Sequence, residues 1–431
     1  MPRSATDRLA EAYDRAARPE ARHAFLALMA DSAAAKAAAA DARSKAGVTL
    51  GPLDGVLVSI KDLYDVAGMV TTAGSAMLRD AAPARVDAPV IARLRRAGAV
   101  LIGRTNMTEF AYSGLGINPH YGTPGSGPGQ RHVPGGSTAG GAVSVAQGIV
   151  PLTLGSDTGG STRIPAVFNG IVGFKPTSPR IPTTGAFPLS YTLDSVGPMG
   201  RSVAECAAMD AVLAGIEAEP LPEVPLAGLR VGVPRGWLFS DLEREVEGPV
   251  EDAISALAAA GARVTDVEFD DLFAAMRAAN AIAQIGACEA AQIHAAALKD
   301  RRAAFDPRIR VRIEGGEGVR AADYIEVLRR REALKRAFAA RMADYDVLAL
   351  PTCVMRAPLI APLEADDALY ASTNLKVLRN TNPFNFFDVP ALTLPLPVSD
   401  GLPVGLMLTG NPFADRRLLA IGAAAERRLA G

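Results

Sequence analysis

Cysteine and histidine are both scarce in this sequence, with three and four residues in a chain of 431. Cys206, Cys288 and Cys353 are far apart and odd in number. They make neither a disulfide framework nor a Cys-x-x-Cys zinc site, and are expected to pack as small apolar residues in a reducing compartment. His23 and His294 fall in helical patterns, His120 and His132 in a long loop. That placement offers no metal-ligand spacing, no HExxH and no serine–histidine triad, so no metal is expected. Charge of one sign is not in excess either: 45 basic side chains face 46 acidic ones. Without a basic field to hold a phosphate backbone, nucleic acid is not expected as a direct partner. The longest apolar region, around Ala139 to Leu154, is broken by Gln147 and Pro151 and falls short of a membrane span. The polar residues Met1 to Arg8 lack the apolar core of a signal peptide, so the expected location is cytoplasmic. Nucleotide loops are missing too. No GxGxxG is present, and Gly136 to Gly141 runs into Ala142 where a Walker loop has lysine, so no cofactor is expected.

What the chain does have is apolar substance, 49% of residues, and 41 glycines. Those glycines concentrate meaningfully between Pro134 and Pro176. Ser137 follows Gly135-Gly136 and Ser161 follows Gly159-Gly160, with an apolar helix-and-strand pattern between the two serines. Glycine pairs let main-chain N–H groups approach a ligand with no Cβ in the way. One such loop reads as a turn; two bracketing a buried segment read as the walls of a site, although tight turns alone would share the pattern.

Along the chain, residues 5 to 47 read as helices. Leu9, Ala12 and Tyr13, then Phe25, Leu26, Leu28 and Met29, recur at helical spacing, and an alanine-rich run from Ala33 to Ala42 reads as a helix packed by its alanine face. Val56 to Ile60 is a strand, a helix follows over 88–97, and Ala99 to Gly103 is the next strand. This β-α-β rhythm implies parallel strands with covering helices. Residues 104–133 form a long loop, of the kind that is more often functional than idle. Ile171 to Lys175 is a strand, Pro176 to Gly200 reads as irregular, and 202–213 as helix. The only plausible linker is 216–227. Beyond it come strands at 229–234, 263–269, 347–351, 391–396 and 404–409, long helices to about 343, and a final helix over 414–429. Composition does not change along the way, so the expectation is one α/β domain over 1–431. Within it, 1–48 supplies N-terminal helices, 50–215 the core, 228–345 a variable helical region and 346–431 the rest of the core.

Cleaving an amide requires a nucleophile, a base and a place for the developing oxyanion. Neither serine has the trailing glycine of a GxSxG elbow. A lysine can serve as base if burial removes its charge. Lys61 closes the strand Val56 to Ile60. A lysine there usually snorkels to the surface, but the loop Thr71 to Ser75 that follows leaves the inward orientation open. Pointed inward, Lys61 can receive a proton passed by Ser137 from an attacking Ser161. The N–H groups of Gly159, Gly160 and Ser161, ahead of a short helix starting near Arg163, suit an oxyanion hole.

These residues resemble the amidase signature family of serine hydrolases. Its paired motifs read here as Gly135-Gly136-Ser137-Thr138 and as Gly155-Ser156-Asp157-Thr158-Gly159-Gly160-Ser161-Thr162-Arg163-Ile164-Pro165. Val58-Ser59-Ile60-Lys61-Asp62 matches the catalytic-lysine strand, and Gly103-Arg104-Thr105-Asn106-Met107 the next strand and turn. Gly170 to Thr177, Leu193 to Pro198, Thr381 to Asn385 and Gly401 to Leu406 also fit. The likeness runs from about residue 50 to the C-terminus. It implies a mixed, mostly parallel sheet sandwiched between layers of helices. It further implies a Ser–cisSer–Lys triad of Ser161 as nucleophile, Ser137 on a cis peptide as relay and Lys61 as base. The N–H groups of Thr158, Gly159, Gly160 and Ser161 would form the oxyanion hole, with Asp157 and Arg163 holding the loop. The family usually has serine after the cis-serine; Thr138 keeps the hydroxyl and adds a methyl, for a slightly tighter pocket. The implied activity is hydrolysis of a small-molecule carboxamide. Met107, Gly135, Gly136, Phe187 and Tyr191 are candidate substrate contacts, Phe187 and Tyr191 being equally readable as packing. The substrate amide is the expected partner, with a homodimer as the assembly. Three alternatives stand beside this: the amide-cleaving component of a glutamine-dependent tRNA amidotransferase, an esterase on the same scaffold, and a non-catalytic binding protein that kept the fold.

Overall fold

The strands of the chain join in an 11-stranded sheet, seen in a computed structural model that describes residues 3–396, 398 and 401–430. In chain order they are β1 Phe25–Leu28, β2 Leu57–Lys61, β3 Val100–Thr105, β4 Leu152–Asp157, β5 Val172–Lys175, β6 Ser195–Gly200, β7 Arg230–Val233, β8 Arg263–Asp266, β9 Val347–Pro351, β10 Ala391–Leu396 and β11 Val404–Thr409. Across the sheet they lie in the order β1-β3-β2-β4-β6-β5-β10-β11-β9-β7-β8. Strands from the region after the linker therefore extend the same sheet. β2, β3 and β4 are buried at every position. Strands covered on both faces carry unbroken apolar runs, which is why they are legible without alternation.

The sheet is mixed. β3, β2 and β4 run parallel, as do β9, β7 and β8. Between them every pairing from β4 through β6, β5, β10 and β11 to β9 is antiparallel. The centre thus alternates where a mostly parallel arrangement was expected. The reason is β6. Pro176 to Gly200 reads as irregular because Ser195–Gly200 carries two glycines and a proline, yet this segment pairs along the whole of β4. A Cβ at Gly197 would run into the Phe174 carbonyl of the neighbouring strand, so glycine is what allows close approach there.

The second departure is at the N-terminal edge. Phe25–Leu28 has helical spacing but forms β1, antiparallel to β3, with Met29 N donating to Ile102 O at 2.9 Å. A four-residue apolar run cannot be assigned by periodicity alone, and the open edge of β3 decides it. The flanking helices match expectation. Ala5–Ala16 buries Leu9 and Ala12, and Ala30–Lys45 buries Ala33, Ala37 and Ala40 on one face. The helices Asp270–Ile282, Ile285–Arg301, Pro307–Glu314 and Ala321–Met342 form the variable region. An aromatic cluster of Phe269, Phe273, Phe338 and Phe387 ties part of that region to the rest of the fold. Among the described residues no helix is long and apolar enough to cross a membrane.

Candidate active site

The register of β2 on β4 brings the site together. Ile60 lies opposite Leu154, so Lys61 at the end of β2 arrives beside Ser156 near the end of β4. Lys61 points inward and is completely buried. Its Nζ lies 2.7 Å from Ser137 Oγ and 2.8 Å from Ser156 Oγ. Burial lowers the Lys61 pKa to about 7, against a smaller opposing pull from Asp157 and Asp194. Near neutrality a large share of the amine is therefore uncharged, free to accept from one hydroxyl while donating to the other.

Ser137 follows a cis peptide bond from Gly136. The loop is pinned by Gly136 N donating to Gly114 O at 2.7 Å and Thr108 N donating to Ser137 O at 3.2 Å. Thr138 N donates to Ser161 O at 3.3 Å, which ties the two serine loops together. Ser161 sits between β4 and the short helix Arg163–Asn169 and lines a cavity of about 500 Å³ with Thr158 and Gly159.

Asp157 organises this loop. Its carboxylate accepts from Gly160 N at 2.8 Å, from Thr162 N at 3.1 Å and from Asn385 Nδ2 at 2.9 Å. Arg163 closes on it with Nε at 3.0 Å and Nη2 at 2.9 Å. Burial alone would raise the Asp157 pKa, but Arg163, Lys175 and the Asn385 amide outweigh it and hold the group well below the usual carboxylate range. Arg163 is fully buried, and it reaches Thr381 O and Asn385 Oδ1 as well. Among the described residues it lines neither of the two cavities at the site, and it is expected to hold the loop. Breaking such a pair leaves a buried charge unpaired: Arg163→Met is expected to lower unfolding free energy by about 3–5 kcal/mol, measured as a fall in the urea midpoint.

Gly160 differs from its neighbours in the expected oxyanion hole. Its N–H is committed to Asp157 and it does not line the cavity, whereas Thr158, Gly159 and Ser161 do. Among the described residues no protein acceptor meets the N–H groups of Gly159 and Ser161. Gly160 has φ +142°, and a Cβ there would meet the Thr381 side chain and come within 2.6 Å of Ile164 Cδ1. Gly160→Ala is therefore expected to displace the loop and reduce serine labelling by a fluorophosphonate at least tenfold, an effect on the order of 1–3 kcal/mol of backbone strain.

The remaining sequence candidates are scattered. Phe187 lines a second cavity, of about 310 Å³, and also stacks on Phe110 at 5.3 Å. Tyr191 lines the same cavity and is 69% exposed. Met107 is fully buried in the core, and neither it nor Gly135 or Gly136 lines either cavity.

Sequence reasoning on individual residues passed over several groups that the structure places here. Ser156 is the second partner of Lys61. Asp194, its pKa raised to about 6 by burial, accepts from Thr158 Oγ1 at 2.6 Å. Thr381 Oγ1 donates to Gly159 O at 2.6 Å. Each lies inside a stretch that matched the family pattern, and that was the available signal. Trp237, Leu375, Leu378, Arg379 and Phe386, which also line the larger cavity, carried none.

The sequence profile of the Amidase family matches residues 7–419. The chain belongs to the amidase family. It is 39% identical to the 2-amino-5-chloromuconic acid deaminase of Comamonas testosteroni, covering 92% of this chain and 87% of the relative. It is 36% identical to the A-type component of the glutamyl-tRNA(Gln) amidotransferase of Chloroflexus aurantiacus, covering 94% and 89%. A crystal structure described as an amidase superposes with a TM-score of 0.88 at 34% identity, over 99% of this chain and 96% of that one. This amidase-family chain is a hydrolase acting on C–N bonds, and the helical layers around its mixed sheet are those of the solved amidases.

Proposed function

We propose that the chain hydrolyses a small-molecule carboxamide to a carboxylate, releasing ammonia or an amine through an acyl-enzyme on Ser161. One observation carries this reading: a buried lysine, its pKa near 7, is hydrogen-bonded to Ser137, on a loop bonded to that of a cavity-lining serine. Neutral Lys61 takes the Ser137 proton as Ser137 takes that of Ser161. The Ser161 Oγ forms a bond to the carbonyl carbon, and the C=O electron pair moves onto oxygen, facing the N–H groups of Gly159 and Ser161 with Thr158 beside them. Collapse of the tetrahedral adduct breaks the C–N bond. The proton now on Lys61 returns through Ser137 to the departing nitrogen, so no charged amine anion forms. Water then adds to the ester by the same relay, releasing the acid and restoring Ser161.

Mapping a fluorophosphonate adduct by mass spectrometry tests the nucleophile: a single adduct on Ser161 is expected, and one on another serine would overturn the mechanism. The likeness to an amidotransferase component favours a second reading, in which released ammonia passes to a partner protein. Co-purification of a stoichiometric partner would favour it. On either reading the whole chain acts as one domain.

A further inference from the structure

The larger cavity has an unusual charge balance. Arg277, Arg312 and Arg379 line it together with Ser161, and no aspartate or glutamate does. The smaller cavity is the opposite, lined by Asp194 and by no basic residue. The rest of the larger lining is chiefly apolar, including Trp237, Met276 and Phe386. Guanidinium groups among low-dielectric walls, with no carboxylate in the lining itself, focus a positive potential on whatever enters.

The three arginines are not equivalent. Arg379 is partly committed, with Nη2 donating to Ser240 O at 2.5 Å and Nη1 3.9 Å from the Asp241 carboxylate. Arg277 is exposed and lies over the Trp237 ring, 4.3 Å from its centroid, at the rim. Arg312 is half-buried over Tyr112, 4.4 Å from the ring centroid, and Tyr112 lines the same cavity. Among the described residues Arg312 Nε is buried without a hydrogen-bond partner and the side chain has no carboxylate partner. Stacking uses the face of a guanidinium and leaves its in-plane N–H fork available, the geometry that matches a carboxylate.

We infer that the substrate is an amide with an apolar body and a carboxylate, which docks on Arg312 while the scissile carbonyl lies at Ser161. This rests on the amide-hydrolase reading, and it names the class of amide. The cavity of about 500 Å³ holds a small molecule of that kind. Arg277 at the mouth draws the anion in, and Arg312 fixes it.

The test is made on the Ser161→Ala protein, so that binding is read without turnover. Calorimetry compares succinamate, glutaramate and adipamate with butyramide, valeramide and hexanamide, the neutral amides of matching length. At least one carboxylate of the series is expected to bind roughly 10- to 100-fold tighter than its neutral match, as a charge-assisted hydrogen-bond pair contributes. Adding Arg312→Met should erase that preference; Arg312→Lys, which keeps the charge without the fork, should retain part of it. Equal binding of charged and neutral members, no binding by any of them, or a preference that survives Arg312→Met in a folded protein would each overturn the inference. Arg312→Lys keeps the test open if the methionine variant does not fold. Failure of Ser161 to label in the unsubstituted protein, with the carboxylate preference intact, would instead count against the hydrolytic mechanism alone.

Discussion

Ser161→Ala is expected to reduce amide turnover on the order of 10⁴- to 10⁶-fold, because members of a catalytic unit fail together when the nucleophile is lost. The protein should remain folded. The Ser161 side chain is small, and the loop is held through main-chain and Asp157 contacts that alanine leaves in place: Thr138 N still donates to the residue 161 carbonyl, and Asp157 still binds Gly160 and Arg163. The measurement pairs kcat with fluorophosphonate labelling and a thermal melt. Loss of both activity and label at an unchanged melt is the expected result. Retained label on a different serine would move the nucleophile elsewhere.

The second large effect concerns Lys61 and pH. On the proposed mechanism the uncharged amine is the active form, so kcat/KM is expected to rise with pH through about 7 and level off above it. The sign follows from the cause. Burial disfavours the ammonium, so the folded protein gives up this proton well below the ordinary lysine value, and acidification refills the site and blocks the relay. Asp194, raised to about 6 by burial, titrates on the same acid limb, so the limb reports the coupled pair. Lys61→Ala should lower acylation by roughly 10²- to 10⁴-fold, the usual contribution of a positioned base. It should also remove the inflection near 7, which a merely structural role for the lysine would not do. A profile that kept the inflection in Lys61→Ala would assign the base to another group.

These expectations could be framed because the chemistry sits in short, contiguous stretches. Gly-Gly-Ser loops need glycine wherever backbone must pass close to a ligand or neighbour, and Gly160 against Thr381 shows that requirement directly. β2 and β4 were legible as short unbroken apolar runs, and the alanine-faced helix Ala30–Lys45 by its helical period. β1 and β6 were not. One is too short for its period to be informative, and the other carries the residues of a turn but is held as a strand by β4 and β5 on either side.

The orientation of Lys61 marks the boundary more sharply. Its position after an apolar strand is equally compatible with a side chain that snorkels to water. Only the pairing of β2 between β3 and β4 buries it against Ser137 and Ser156, and only that burial brings its pKa near neutrality. The sequence by itself determined the motifs, the residue types of the proposed triad and the α/β alternation, since these depend on local spacing and on which side chains can do the chemistry. The tertiary structure decided which way the lysine points, which oxyanion-loop amide is spent on Asp157, and which arginines from distant helices share a cavity with Ser161. Those depend on contacts between residues far apart in the chain, where desolvation and close approach, set by packing, fix charge and geometry.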